Sequence, residues 1–293
     1  MSDGSARTLV LMPLRDKPTR PTQLALDRHT DGPITLITAR GLPVEEGRNS
    51  VWHQARAIAR PQDFVFLIDG DAYWEPGHFN RFRSFLAGLP DNALVGAQVG
   101  PRQPFAKSYI ARKLDDYDNT RLDGKDLEQI PRGGFAAVEA QPIIFAACRG
   151  ALLQQFEDPF SYLPDVPAGS SEDMCFLWRL KRSGCPVFCD AHVPVFHFDE
   201  DRGLAFIPFH PPFEIDANGK LTPRHDITRD STVIQKLRSY GPALDKARAD
   251  SLGIPEESIA QIAEDQRRGL DFKTGEDLIE HLRATYAQQA RSA

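Results

Sequence analysis

Short apolar runs alternate with segments of helical periodicity through the first hundred residues, and this alternation restricts the fold more than any other feature. The predicted strands are residues 8–14 (TLVLMPL), 34–38, 64–68 and 93–99. Between them, residues 47–59 carry apolar side chains at helical spacing, and a further helix is predicted to contain Glu75 and Pro76 in its first turn. Strands that alternate with helices predict an α/β fold.

The composition is that of an ordinary soluble globular protein. Of 293 residues, 41% are hydrophobic and 26% charged, enough for one large domain or a core domain with an appendage. The net charge of -6 argues against a general nucleic-acid coat, although one basic cluster could meet an anionic surface: Arg102, Lys107, Arg112 and Lys113. No apolar stretch approaches membrane-spanning length and no signal peptide is recognisable, so we expect a cytoplasmic protein without a membrane span.

The second half of the chain is less regular. Residues 100–134 are polar, and we expect an excursion over one edge of the sheet. Residues 136–147 regain strand character around Pro142, which indicates an edge strand or a bend. The other elements predicted there are a helix at 171–183 and strands at 187–189 and 193–198. The four cysteines form no C-x-x-C pair, which favours a reduced, buried set.

The composition changes again after His210. The sequence predicts a first domain of residues 1–210, followed by a linker and a C-terminal helical extension in residues 211–293. The predicted helices of the extension are 228–240, 255–268 and 275–289. The last one carries an apolar stripe, so we expect it to dock on the core domain or on a second subunit of a homo-oligomer.

Two aspartates, Asp69 and Asp71, stand at the end of the most apolar predicted strand, in FVFLIDGDAYWEP. A D-x-D tripeptide is uninformative alone, and the chain has two more, at 116–118 and 199–201. Only the first directly follows a strongly apolar run, and open α/β sheets bind ligands outside the carboxyl ends of their strands. Neighbouring carboxylates raise each other's pKa unless a cation compensates them, which favours a metal site. The alternative is a pair of turn residues that cap the next helix.

Basic and amide side chains are predicted at the same edge. Arg15 follows the first strand in the stretch MPLR, and Arg48 and Asn49 begin the second helical segment. A guanidinium and backbone N–H groups at such positions can bind a diphosphate. The alternatives are a solvated arginine and an ordinary helix cap, a role that asparagine performs well.

A later segment adds two carboxylates and an imidazole. Glu172 and Asp173 start a predicted helix, and His197 lies in an apolar run. Carboxylates in a first helical turn also interact favourably with the helix dipole, so capping alone explains the pair equally well. A histidine between phenylalanines is often a hydrogen-bonded core residue.

This order of segments resembles the GT-A class of nucleotide-sugar-dependent glycosyltransferases over about residues 9–198. The stretches VLMPLRDKP, GRNSVWHQA, FVFLIDGDAYWEP and YDNT are most similar to the fungal mannan-polymerase type of α-mannosyltransferase, within a broader likeness to family 2-like glycosyltransferases. The resemblance implies a GT-A fold, which is a Rossmann-like mixed central sheet with helices on both faces.

The resemblance also implies a role for each candidate residue. Asp71 would coordinate a metal, Asp69 would contact the metal or the donor ribose, and His197 would complete the protein ligands. The residues implied for donor binding are Pro13, Leu14 and Arg15 in the nucleotide pocket, with Arg48 and Asn49 near the diphosphate. Glu172 and Asp173 would face the acceptor and the transferred sugar.

These roles describe a metal-dependent glycosyltransferase that moves a sugar from a nucleoside-diphosphate sugar to a hydroxyl of a glycan or other acceptor. Mn²⁺ suits carboxylate and imidazole ligands better than Ca²⁺ does, and Mg²⁺ stays open. If the anomeric centre is inverted, Asp173 or Glu172 would act as general base. If it is retained, the pair would position the acceptor or stabilise an oxocarbenium-like state.

Three other functions remain as alternatives. A sugar nucleotidyltransferase would normally have a glycine-rich loop after the first strand, where this chain has RDKPTRP. A phosphatase of the haloacid-dehalogenase type would carry its D-x-D at the first strand. A non-catalytic nucleotide- or carbohydrate-binding protein of the same fold would release no nucleoside diphosphate.

Overall fold

The computed structural model describes residues 5–102, 108–122, 126, 129–130, 134–167, 170–225 and 227, with the backbone alone for 191–193. The strands are β1 Thr8–Leu14, β2 Thr35–Arg40, β3 Phe64–Ile68, β4 Ala72–Tyr73, β5 Leu94–Gln98, β6 Phe135–Val138, β7 Phe145–Arg149, β8 Val187–Pro194, β9 Phe196–Asp199, β10 Leu204–Phe206, β11 Phe213–Ile215 and β12 Leu221–Pro223. The helices are α1 Arg20–Arg28, α2 Val44–Ile58, α3 His78–Leu86, α4 Tyr117–Thr120, α5 Gly150–Leu153 and α6 Glu172–Arg182.

A seven-stranded mixed sheet forms the centre, in the order β2-β1-β3-β7-β5-β8-β6. Strands β1, β2 and β3 are mutually parallel, β7 runs antiparallel to both β3 and β5, and β8 is parallel to β5. The carboxyl ends of β1, β2, β3, β5 and β8 therefore meet at one edge of the sheet, together with the start of β7. The α/β class predicted from the sequence is confirmed.

Both faces of the central sheet are buried, because β3 is apolar throughout and β1 is apolar from Leu9 to Leu14. Leu9 enters one hydrophobic core and its neighbour Val10 enters the other. Trp52 of α2 is fully buried on the first face, and on the second Phe79 of α3 stacks on Phe66 with ring centroids 4.0 Å apart. Burying one such ring contributes about 1.5–3 kcal/mol relative to leaving it in water.

The strand predicted at residues 136–147 is in fact two strands in different places. Strand β6 lies at the edge of the sheet, whereas β7 lies in its middle, between β3 and β5. The intervening chain around Pro142 crosses from one position to the other. The predicted bend around Pro142 is confirmed, whereas the prediction of one continuous strand was wrong, because local periodicity does not show which strands pair.

A second, antiparallel sheet has the order β12-β11-β10-β9-β4. Its strand β4 comprises Ala72 and Tyr73 and directly follows the D-x-D tripeptide. The two aspartates are therefore followed by a strand, not by the helix that they were alternatively predicted to cap. Its strands β11 and β12 lie in residues 211–223, where the sequence predicted a linker. Strands this short are recognised only through their partners.

The starts of two helices differ from the prediction. Helix α2 begins at Val44 rather than Gly47, so Arg48 lies in its second turn. Helix α3 begins only at His78, after Gly77 adopts a positive φ of 93°. The Asp31 carboxylate accepts hydrogen bonds from the backbone N–H groups of Gly77 and Asn80, each at 3.1 Å, and so caps this helix from a distant loop.

The chain divides into two compact units, residues 1–223 and 224–293. The helices predicted at 228–240, 255–268 and 275–289 lie outside the described residues and stay predictions. All four cysteines are free and buried, as expected. Of the helices that the structure describes, none is long and apolar enough to cross a membrane.

Candidate functional site

The D-G-D turn, residues 69–71, leaves the carboxyl end of β3 and is held by backbone contacts to its neighbours. Asp69 N–H donates to the carbonyl oxygen of Ile144 at 2.9 Å, and the carbonyl oxygen of Gly70 accepts from Thr19 N–H at 2.7 Å. A Cβ at position 70 would lie 2.6 Å from Cδ2 of Leu14, so a larger residue between the aspartates would require the Leu14 side chain to move. The turn therefore packs closely against the end of β1.

The second sheet brings His197 to this turn. Strand β9 pairs with β4 so that His197 lies opposite Ala72, and Phe198 N–H donates to the carbonyl oxygen of Asp71 at 2.8 Å. The Nε2 atom of His197 then lies 3.3 Å from Oδ2 of Asp71. Two residues far apart in sequence thus share one site because they lie on neighbouring strands.

Hydrogen bonds assign the protons of His197. Its Nδ1 lies 3.1 Å from the carbonyl oxygen of Gly100, which can only accept, so Nδ1 carries the hydrogen. Its Nε2 accepts from Nε–H of Arg102 at 3.0 Å, so the lone pair of Nε2 is directed toward Arg102. Burial and the charge of Arg102 lower the pKa of His197, which keeps the imidazole neutral at pH 7.

Arg48 joins the D-G-D turn to the start of α6. Its side chain is 4% exposed, and Nη2 lies 3.0 Å from Asp69 and 3.3 Å from Asp173. Its Nε lies 3.3 Å from Oε1 of Glu172. Burial opposes the charged form of Arg48, but the carboxylates of Asp173, Asp69 and Glu172 outweigh it and raise the pKa of the guanidinium. One buried cation therefore holds three carboxylates together.

The carboxylates around Arg48 are not equivalent. Burial raises the pKa of Asp69 and of Asp173, and the attraction of Arg48 only partly opposes this. Asp173 accepts from Ile143 N–H through Oδ2 at 3.3 Å, while its buried Oδ1 has no hydrogen-bond partner in the part of the chain that the structure describes. A carboxylate whose pKa is raised by burial is a good proton acceptor.

Two cavities meet at these residues. The first, of about 590 Å³, is lined by residues that include Pro13, Leu14, Arg15, Lys17 and Thr19 from the end of β1 and the loop after it. The second, of about 820 Å³, is lined by the start of α6, the Gln141–Pro142 stretch and residues 114–119. Four residues line both: Val44, Asp69, Asp71 and Arg102.

The described residues contain no group of three or more metal-ligating side chains in position to hold an ion. The predicted trio is divided, because Asp69 pairs with Arg48 while Asp71 lies next to His197. A carboxylate and an imidazole lone pair nevertheless fit a divalent cation such as Mn²⁺. The local charge fits a divalent cation as well. Two guanidinium groups, of Arg48 and Arg102, face four carboxylates, so two negative charges are left over. The carboxylates are those of Asp69, Asp71, Glu172 and Asp173.

Most of the residues predicted for donor binding line the cavities, and Asn49 does not. Pro13, Leu14 and Arg15 line the first cavity and Arg48 lines the second. The amide of Asn49 instead donates to Oγ of Ser161 at 3.1 Å, and its Oδ1 accepts from the backbone N–H of Phe160 at 3.0 Å. Because α2 begins at Val44, Asn49 is neither a helix cap nor near a free helix end.

Sequence reasoning missed several lining residues. The sequence predicts Arg102 only as part of a basic cluster that could meet an anionic surface, and it predicts no role for the D-x-D tripeptides at 116–118 and 199–201, yet all three line a cavity. Gln141 lines the second cavity and is 2% exposed, with an amide that lies over Gly96 and has no hydrogen-bond partner among the described residues. Arg102, Gln141 and residues 199–201 each lie within four residues of a strand end, which is a signal in the sequence, whereas residues 116–118 lie far from any named strand.

Comparisons with known proteins add little. No family model matches the chain, and no curated protein sequence matches it. Among solved structures, the chain is similar to A197 from STIV, with a TM-score of 0.49 and 16% sequence identity over 76% of this chain and 96% of A197. A similarity at this level does not bear on activity.

Proposed function

We propose that this protein is a metal-dependent glycosyltransferase of the GT-A type, which transfers a sugar from a nucleoside-diphosphate sugar to a hydroxyl acceptor. The observation that carries the proposal is the meeting of two cavities at a cluster of carboxylates and one imidazole. Group transfer needs two bound molecules whose reacting atoms meet at one catalytic cluster. The first cavity would hold the donor and the second the acceptor.

The first cavity suits a nucleoside diphosphate. Arg15 and Lys17 supply positive charge beside the end of β1, where phosphate oxygens would lie. Leu42 and Val44 are 43% and 51% exposed at its rim, and a flat base would cover this apolar surface. The cavity lies outside the carboxyl ends of parallel strands, where nucleotides bind in open α/β sheets.

Asp71 and His197 would hold the divalent cation, Mn²⁺ or Mg²⁺, with Asp69 directed by Arg48 toward the cation or the donor ribose. When bound, such a cation neutralises charge that develops on a departing diphosphate. The Nδ1–H of His197 donates to Gly100 and so orients the imidazole. Hydrogen bonding of a ligand histidine through its other nitrogen is usual in metal sites.

Asp173 is the residue of this site best placed to receive the proton of the acceptor hydroxyl. It lines the second cavity, its Oδ1 accepts no hydrogen bond from the described residues although Nη2 of Arg48 lies 3.3 Å away, and burial raises its pKa. Glu172 would hold Arg48 in place. In an inverting reaction Asp173 acts as general base, and in a retaining reaction the same oxygen positions the acceptor.

The proposal is tested with the full chain, Mn²⁺ and a panel of nucleotide sugars. A donor that binds the native state raises the melting temperature, and metal-dependent release of nucleoside diphosphate then reports turnover. Asp71→Asn should lose this release, whereas Asp165→Asn, at an exposed aspartate paired with Arg182, should retain it. Absence of both stabilisation and release across the panel would reject the proposed function.

A further inference from the structure

Arg102 lies where the cation of the proposed site would lie. Its Nη2 contacts Oδ2 of Asp71, and its Nε–H donates to Nε2 of His197 at 3.0 Å. A guanidinium has no acceptor atom, so both contacts use electron pairs that a metal ion would otherwise receive. Nε2 of His197 has a single lone pair, so it cannot bind Arg102 and a divalent cation at once, and the guanidinium also occupies the space beside Oδ2 of Asp71.

The side chain of Arg102 is also able to leave. It is 44% exposed, whereas Arg48 on the other side of the D-G-D turn is 4% exposed and pairs with three carboxylates. Arg102 lines both cavities, so a short movement takes its guanidinium from Asp71 toward the space proposed for the donor diphosphate. Arginine binds phosphate oxygens with two parallel hydrogen bonds, as it binds a carboxylate.

Resting on the proposed function, we propose that Arg102 is a resident cation of the site, which must leave Asp71 and His197 before a divalent ion binds. The donor diphosphate would receive the displaced guanidinium, so that metal and donor each favour the binding of the other. Arg102 is then a positioning residue that suppresses metal binding in the absence of donor. Such coupling between two ligands is reciprocal and typically amounts to about 5–150-fold in affinity.

The test measures Mn²⁺ binding to the full chain without nucleotide, from the electron paramagnetic resonance signal of free Mn²⁺. Arg102→Ala should bind Mn²⁺ about tenfold more tightly than the wild-type protein. Arg15→Ala removes the same charge from the first cavity, so it measures the general electrostatic effect and should change the affinity much less. Circular dichroism checks that each variant is folded.

Chemical rescue shows whether Arg102 suppresses Mn²⁺ binding because its guanidinium fills the site or only because it adds positive charge nearby. Guanidinium chloride, far below denaturing concentrations, should refill the space in Arg102→Ala and restore weak Mn²⁺ binding, whereas an equal concentration of sodium chloride should not. If the wild-type protein binds Mn²⁺ through Asp71 and Arg102→Ala binds it no more tightly, this inference is wrong and the proposed function stands. If neither protein binds Mn²⁺, the proposed metal site fails together with the inference.

Discussion

Nε2 of His197 lies 3.3 Å from Oδ2 of Asp71, and this proximity is created by the pairing of β4 with β9. Each residue alone has an ordinary structural explanation, as a turn aspartate and a core histidine. Together they offer a carboxylate and an imidazole lone pair on one side of a cavity. Removing either side chain should therefore weaken metal binding.

Asp71→Asn should weaken Mn²⁺ binding well over tenfold, because even residues behind the ligands of a metal site contribute about 10–100-fold to affinity. Titration calorimetry measures the affinity. The melting temperature should change little, since the side chain is 20% exposed and lies outside the two hydrophobic cores. Mn²⁺ binding as tight as in the wild-type protein would remove Asp71 from the metal site.

Asp173→Asn should lower the rate of sugar transfer about 10²–10⁴-fold, the usual contribution of general acid–base catalysis. Stabilisation by the donor should persist, because Asp173 lines only the second cavity. Single-turnover assays and thermal shifts measure the two effects separately. Loss of donor binding with an unchanged rate constant would assign Asp173 to the donor instead.

Arg48→Gln should destabilise the fold by about 3–5 kcal/mol, the usual cost of removing one partner from a buried ion pair. Three carboxylates would then lie together without a cation. Urea denaturation measures the loss. The control Arg182→Gln, at an exposed arginine paired with Asp165, should cost less than about 1 kcal/mol, and equal losses would contradict the role of Arg48.

Asp63→Asn should reduce the free energy of unfolding at neutral pH by about 3 kcal/mol. It should also make the free energy of unfolding less sensitive to a fall in pH. Asp63 is fully buried, and although burial opposes its charge, hydrogen bonds from Arg7 and Arg60 lower its pKa far below the usual value. Because the pKa of Asp63 is lower in the folded state than in the unfolded chain, its carboxylate stabilises the fold at pH values above the unfolded pKa of about 3.9. That stabilisation is lost as the pH falls through the folded pKa.

Urea denaturation at several pH values below 6 measures this effect. The wild-type protein should lose more stability than Asp63→Asn as the pH falls, so that the two curves converge in acid. Parallel curves would show that the carboxylate of Asp63 does not contribute through its charge.

Gly150→Ala should destabilise the protein by about 1–3 kcal/mol, because a Cβ there would overlap the backbone carbonyl of Arg60. The backbone cannot give way as a side-chain end can. Gly88→Ala is the matched control, with its nearest atom at an ordinary 3.7 Å, and should be neutral or slightly stabilising. Thermal unfolding distinguishes the two, and equal melting temperatures would refute the packing argument.

Local sequence patterns predicted a strand or helix correctly where the interactions that form it lie within that segment. Strand β1, strand β3 and helix α6 were predicted because continuous apolar runs and helical spacing reflect burial within one segment. Helix α3 was predicted to start too early because its cap, Asp31, comes from a distant loop. The position of β7 in the middle of the sheet was also missed, because its neighbours β3 and β5 are distant in sequence and hydrophobic periodicity does not show which strands pair.

The sequence by itself determined that this chain forms an α/β fold with Asp69 and Asp71 at the carboxyl end of a buried strand, because hydrophobic periodicity and chain direction suffice for that. Only the tertiary structure decided that Asp69 pairs with Arg48, that His197 approaches Asp71, and that Arg102 contacts both His197 and Asp71. These contacts depend on the register of strands and on loops that meet at one edge. Such relations arise from packing between distant segments, which no local pattern of residues specifies.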